Sequence, residues 1–277
     1  MHRHLLLLLG ALLLVGGCTR GKPREVLREP SPTGAVSEAE FKAMHTLRED
    51  APPELKGQEV EVAGTKAYLS LPPDAKAPLP AVLLIHEWWG LNPHIKHWAD
   101  RLAANGYAAL AVDLYGGKVA ANPDEAMALL KAVDPARATQ VLKAAYTFLQ
   151  DDARVRATRT GSLGWCFGGT WSLRAAMTLP ELDAAVMYYG HPVTDPQELA
   201  SIRAPLLGIF GTKDASIPPE TVQEFREALN AAGVRHRIIE LEGEHAFANP
   251  SGQRYDERAA AMAWAETSMF LEHHLKR

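Results

Sequence analysis

The chain has 277 residues, 47% of them hydrophobic and 22% charged, enough for one sizeable buried core with extra segments attached. Its 29 lysines and arginines are interleaved with 33 aspartates and glutamates, so the net charge of -4 offers no basic field to gather phosphates. A nucleic-acid partner is therefore not expected.

Residues 1–17 read as a secretory signal peptide: Arg3 precedes an apolar run of 11 residues, Leu5 to Val15. That run is shorter than the roughly 20 residues a spanning helix needs. Val15-Gly16-Gly17-Cys18 resembles the lipobox of bacterial lipoproteins. The resemblance implies cleavage before Cys18, its acylation, and an exported cell-envelope protein held to a membrane by acyl chains worth about 0.8 kcal/mol per buried methylene. A soluble secreted protein cut nearby is the other reading. Thr19, rather than aspartate, follows Cys18, which in two-membrane bacteria resembles an outer-membrane address. The other cysteine is Cys166, and acylation of Cys18 would leave it a free thiol.

Residues 18–36 are charged and carry Pro23, Pro30 and Pro32, the composition of a lipidated flexible tether. Ser37 and Glu40 have capping-box spacing, and Phe41, Met44 and Leu47 follow at helical spacing, so residues 37–57 form a short helical extension. From 58 to 277 strand-like and helix-like blocks alternate. The strands are a stretch within Glu59 to Leu71, then Ala81 to Ile85, Ala108 to Val112, Thr160 to Trp165, Ala184 to Tyr189, Leu206 to Phe210 and Arg237 to Leu241. Between them lie helices at Pro93 to Asn105, Asp124 to Lys131, Ala136 to Asp151, Gly169 to Thr178, Pro219 to Ala232 and Gln253 to Leu275. Runs such as Ala81-Val82-Leu83-Leu84-Ile85 are apolar on both faces, as strands become when helices cover both sides of a sheet. The expectation is a single α/β domain, a doubly wound and mostly parallel sheet.

One strand runs straight into Gly164-Trp165-Cys166-Phe167-Gly168-Gly169 and on into a helix. A nucleophile on such a sharp turn wants glycine two before and two after it, which Gly164 and Gly168 supply. The N-terminus of the following helix favours a thiolate at Cys166, and the Phe167 amide becomes an oxyanion donor. Taken alone, the cysteine also suits a small buried residue. Asp214 follows the strand ending at Phe210, and His245 follows the strand ending at Leu241. Alone, the first suits a turn or helix cap and the second an ordinary loop. Their joint order, nucleophile then acid then histidine, at one edge of the sheet is what argues for catalysis.

Taken with His86-Glu87-Trp88-Trp89-Gly90-Leu91-Asn92, Asp113-Leu114-Tyr115-Gly116-Gly117 and Gly243-Glu244-His245-Ala246-Phe247, these segments resemble the dienelactone hydrolase family of the α/β-hydrolase fold, over roughly Glu59 to Leu275. The resemblance implies an ester or lactone hydrolase with Cys166, His245 and Asp214 as triad and Trp88 as second oxyanion donor. It also implies that Glu87 contacts the cysteine and takes part in its activation when substrate binds. The family's two carboxylate-gripping arginines are missing: Asn249 stands at one place, and the region from Asn122 to Met127 has none, although Lys118 is nearby. Removing such charge-assisted bonds, at about 1.5–3 kcal/mol each, points away from small anionic lactones and toward a neutral or hydrophobic ester, lactone or thioester. A thioesterase or acyltransferase, or a catalytically silent binding lipoprotein, are the competing readings. No cofactor is expected, and His86, His94, His97 and His191 lack the spacing of a metal site.

Overall fold

The computed structural model describes residues 33–47 and 54–277. The segment read as a signal peptide, Cys18 and most of the stretch read as a tether lie outside the described residues. Among those described, no helix is long and apolar enough to cross a membrane.

The extension forms α1 (Glu38–Met44), capped as its sequence predicts: the Ser37 hydroxyl accepts from the Glu40 amide, and the Glu40 carboxylate accepts from the Ser37 amide. The stretch read as one strand is a hairpin, β1 (Gln58–Val62) and β2 (Thr65–Ser70), because Ala63 and Gly64 take positive φ and turn the chain. Then follow β3 (Ala81–Ile85), α2 (Pro93–Ala104), β4 (Ala108–Val112), α3 (Pro123–Lys131), α4 (Pro135–Asp151), β5 (Thr160–Trp165) and α5 (Phe167–Thr178). The chain closes with β6 (Ala184–Tyr188), the short α6 (Pro196–Leu199), β7 (Leu206–Gly211), α7 (Pro219–Ala231), β8 (His236–Leu241) and α8 (Glu257–Leu275).

The eight strands form one sheet in the order β1-β2-β4-β3-β5-β6-β7-β8. The hairpin edge is antiparallel, while β4 through β8 pair in parallel. Every residue of β3 is fully buried, with Leu83 and Ile85 in the core on one face and Val82 and Leu84 in the core on the other. This two-sided burial is the doubly wound α/β architecture that the apolar runs imply.

Most boundaries fall within two residues of the sequence reading, and two shift further. The last helix begins at Glu257 rather than Gln253, since Asp256 caps it by accepting from the Ala259 amide, 2.8 Å away. The Gln253 amide instead donates to the Thr46 carbonyl at 3.1 Å. The tether, read through Val36, is already docked by Thr33: the Ser216 hydroxyl donates to the Thr33 carbonyl, and the Ala35 amide donates to the Ser216 carbonyl.

Candidate active site

Parallel strands end at one edge of the sheet, and the loops beyond them carry the site residues. Cys166 sits between β5 and α5 at φ 52° and ψ -118°, a strained turn that holds its sulfur clear of the strand. Glycine is required on both sides. A Cβ on Gly164 would lie 2.0 Å from the Gly168 carbonyl oxygen, and one on Gly168 would lie 2.1 Å from that of Ile85. The Cys166 amide donates to the Tyr188 carbonyl at 3.0 Å, tying the turn to β6.

His245 brings Nε2 to 3.4 Å from the Cys166 sulfur, and its Nδ1 lies 2.7 Å from Asp214 Oδ2. The other carboxylate oxygen of Asp214 accepts from the Ser216 and Ile217 amides at 2.8 and 3.0 Å. Asp214 is thus fixed by its own loop and faces the imidazole. Burial works against charge on His245, but the Asp214 carboxylate and the Cys166 sulfur together outweigh it and carry the pKa up to about 10. The ring is held in its cationic state beside the sulfur.

A second histidine, which the sequence reading did not single out, reaches the same sulfur. His45, at the end of α1, places Nε2 3.9 Å from Cys166 Sγ, while its Nδ1 donates to the Phe41 carbonyl at 2.7 Å. Its ring packs on Trp88 and His245, with centroids 4.4 and 5.2 Å away. Burial, helped by the His245 charge, pulls its pKa down to about 3, so His45 is neutral. Residues 33–47 form a strap over the site, held at one end by Ser216 and at the other by the Leu47–Gly252 bridge. Between these ends Phe41 is buried against Trp88 and His245, and Lys42 bridges to Asp124 of α3. Burying the phenyl ring contributes roughly 1.5–3 kcal/mol. The one hint in the sequence was the capped, amphipathic α1, which had to pack somewhere.

The profile described as "Dienelactone hydrolase family" matches residues 65–275. The chain belongs to the dienelactone hydrolase family. It is a hydrolase acting on ester bonds. A putative carboxymethylenebutenolidase of Aquifex aeolicus is 32% identical, with 79% of this chain and 98% of that protein covered. A probable 2-oxo-3-(5-oxofuran-2-ylidene)propanoate lactonase of a Bradyrhizobium species is 33% identical over 76% of this chain and 89% of its own. The crystal structure of a putative dienelactone hydrolase from Klebsiella pneumoniae superposes with a TM-score of 0.69 at 31% identity, covering 79% of this chain and 99% of that one.

The loop after β3 carries a further buried acid. The buried carboxylate of Glu87 takes its hydrogen bond from the Asn249 amide group, not from the sulfur. Asn249 is fixed in turn, its Oδ1 accepting from the Ser251 amide and hydroxyl at 2.9 and 2.6 Å. Burial pushes the Glu87 carboxyl up to about 7, against the lowering influence of His245 and the Tyr189 hydroxyl. His86 braces the same loop, with Nδ1 donating to the Glu87 carbonyl at 2.6 Å and Nε2 accepting from the Leu114 amide at 3.0 Å. Asp113 accepts from the Tyr115 amide at 2.8 Å and from the Gly117 amide, so it supports a turn. Of the aromatic residues in the motifs, Trp88, Trp89, Trp165 and Trp171 are all buried, and Trp171 belongs to the core on the far face of the sheet. The Tyr188 hydroxyl hydrogen-bonds the Thr267 hydroxyl of α8 at 2.5 Å, whereas Tyr189, which sequence reasoning passed over, sets its ring at a tilt to His245 with centroids 5.4 Å apart.

Proposed function

We propose that the chain hydrolyses neutral carboxylic esters or lactones by nucleophilic acyl transfer through Cys166, His245 and Asp214. The observation that carries this reading is the continuous line from sulfur to imidazole to carboxylate, at 3.4 and 2.7 Å, on a strained strand-to-helix turn. The reaction starts from the Cys166 thiolate, formed against His245, whose pKa is raised to about 10. It attacks the substrate carbonyl while the Phe167 and Trp88 amides take the oxyanion. His245 Nε2 then gives its proton to the departing alkoxide, leaving an acyl thioester. Water attacks that thioester as its proton passes to His245, and acid release restores the ion pair.

The preference for a neutral substrate is supported by Asn249 standing where the family has an arginine and being spent on Glu87. Phe41, Trp88 and Tyr189 add apolar surface around the triad. The test is a panel of aryl esters, lactones and thioesters, neutral and anionic, with Cys166→Ala as control. Hydrolysis of neutral members that is lost in the variant supports the reading, and turnover that survives in Cys166→Ala sinks it.

The lipobox-like Val15-Gly16-Gly17-Cys18 supports an exported protein acylated at Cys18, with an outer-membrane address from Thr19. Mass spectrometry of the mature N-terminus checks this: an unacylated or uncleaved Cys18 would refute it.

A further inference from the structure

Three metal-capable atoms converge at one buried point, and the proposed reaction uses only two of them. His45 Nε2 and His245 Nε2 lie 3.9 and 3.4 Å from the Cys166 sulfur, and all three atoms fall within 4.8 Å of one another. The far nitrogen of each ring is already engaged by oxygen. His45 Nδ1 faces the Phe41 carbonyl and His245 Nδ1 faces Asp214, each at 2.7 Å. Imidazoles that ligate metals are oriented in this way, with the outer N–H donating to a carbonyl or carboxylate and the inner lone pair turned toward the ion.

His45 is the unexplained member. A carbonyl only accepts, so its Nδ1 carries the proton and its Nε2 is a bare acceptor aimed at sulfur. That lone pair and the sulfur face each other in a buried space beside the His245 ring, the arrangement in which a cation would find three ligand atoms turned toward it.

We propose that His45, Cys166 and His245 form a reversible inhibitory site for a zinc-class divalent cation, with His45 as the ligand that hydrolysis does not require. Zinc binds thiolate sulfur at about 2.3 Å and imidazole nitrogen at about 2.0–2.1 Å, so a tetrahedral site spaces sulfur and nitrogen about 3.5 Å apart. The His245 pair is already at that distance, and a small inward shift of the strap brings His45 to it. A water or substrate oxygen takes the fourth place. On binding, His245 releases its Nε2 proton to solvent, one proton per cation, and no electron is transferred. The thiolate and the Asp214 carboxylate offset the two positive charges. Sulfur and base are then both occupied, and the strap is clamped over them.

This inference goes beyond the hydrolytic reading and stands on side-chain geometry alone, so its test reads metal and thiol without a substrate. The full chain with Cys18→Ser leaves Cys166 as its one thiol. After chelator treatment, it is titrated with Co2+ alone and with Zn2+ alone. One equivalent of Co2+ is expected to produce thiolate-to-cobalt charge-transfer absorption and tetrahedral visible bands, which Zn2+ abolishes. Zn2+ should also slow alkylation of Cys166 at least about tenfold. His45→Ala should weaken Zn2+ binding at least about tenfold, a loss no smaller than that from removing an outer-shell partner. His45→Gln, which keeps a polar group on the strap, should show the same loss with an unchanged melting temperature. Absence of the sulfur-to-cobalt band, or equal Zn2+ affinity in the parent and both His45 variants, overturns the proposal.

Discussion

Two histidines flank one sulfur at similar range, and they end in opposite protonation states. On the loop after β8, His245 meets a carboxylate and is carried up to about 10; on the strap, His45 meets a carbonyl and falls to about 3. Both rings are buried, and burial pulls both down. What separates them is the set of partners: the Asp214 carboxylate behind His245 is the largest raising influence and the Cys166 sulfur adds to it, whereas the Phe41 carbonyl behind His45 is only a dipole. Proximity to the sulfur does not by itself raise a ring.

The sharpest way to break this comparison is to remove the charged ring. His245→Ala should lower kcat/KM for an activated ester by about 10⁶-fold, as should Cys166→Ala, because triad members act as a unit. Loss of less than about tenfold in either would mean that another pair performs the reaction. Asp214→Asn tests the carboxylate itself. It keeps the shape behind His245 and removes the charge, so turnover should fall about 10⁴-fold, with the His245 imidazole titrating well below its parent value by NMR. A ring that still titrates near 10 would assign its protonation to something other than Asp214.

Glu87 sharpens the picture from the other side of the pocket. With its carboxyl raised from 4.5 to about 7, the folded state holds a proton there that the unfolded state has lost. Folding stability should therefore fall as pH rises through that window, by about 3 kcal/mol in all, with the full penalty present above about 7. Glu87→Gln should flatten the denaturant-midpoint profile between those values and remove any inflection near pH 7 in the alkylation rate of Cys166. An unchanged inflection would place the titrating group elsewhere.

The strap carries the remaining contrast. Freed, His45 would titrate near 6.5; closed, it resists protonation down to about 3, with the His245 and Arg254 charges also opposing it. Strap closure should therefore be at full strength above about 6.5 and weaken as pH falls below it, by up to about tenfold per pH unit in hydrogen exchange across residues 35–46. His45→Ala should abolish that dependence. Phe41→Ala, which removes the ring packed on Trp88, should expose Cys166 to alkylation about tenfold faster at any pH, and an unchanged rate would mean that the strap does not gate the thiol.

Much of this molecule was written locally. Apolar runs such as Ala81 to Ile85 announce strands buried on both faces, and Gly164 and Gly168 announce a turn whose backbone approaches another chain segment too closely for any side chain. The order of Cys166, Asp214 and His245 after successive strands follows from connectivity, since parallel strands deliver their loops to one edge. The hairpin at Ala63 and Gly64 was missed because a run of alternating residues continues through the turn. The late start of α8 is set by the Asp256 cap, a local signal, whereas the bond of the Gln253 amide to Thr46 is one no local pattern encodes.

Sequence by itself determined most of the elements, their order and the candidate sulfur, imidazole and carboxylate, because each rests on periodicity or on a turn within a few residues. Tertiary structure alone decided that His45 reaches Cys166 across 121 positions and that Asn249 engages Glu87 across 162. Those pairings carry no spacing rule, since the separation of two contacting residues along a folded chain is set by how whole layers pack.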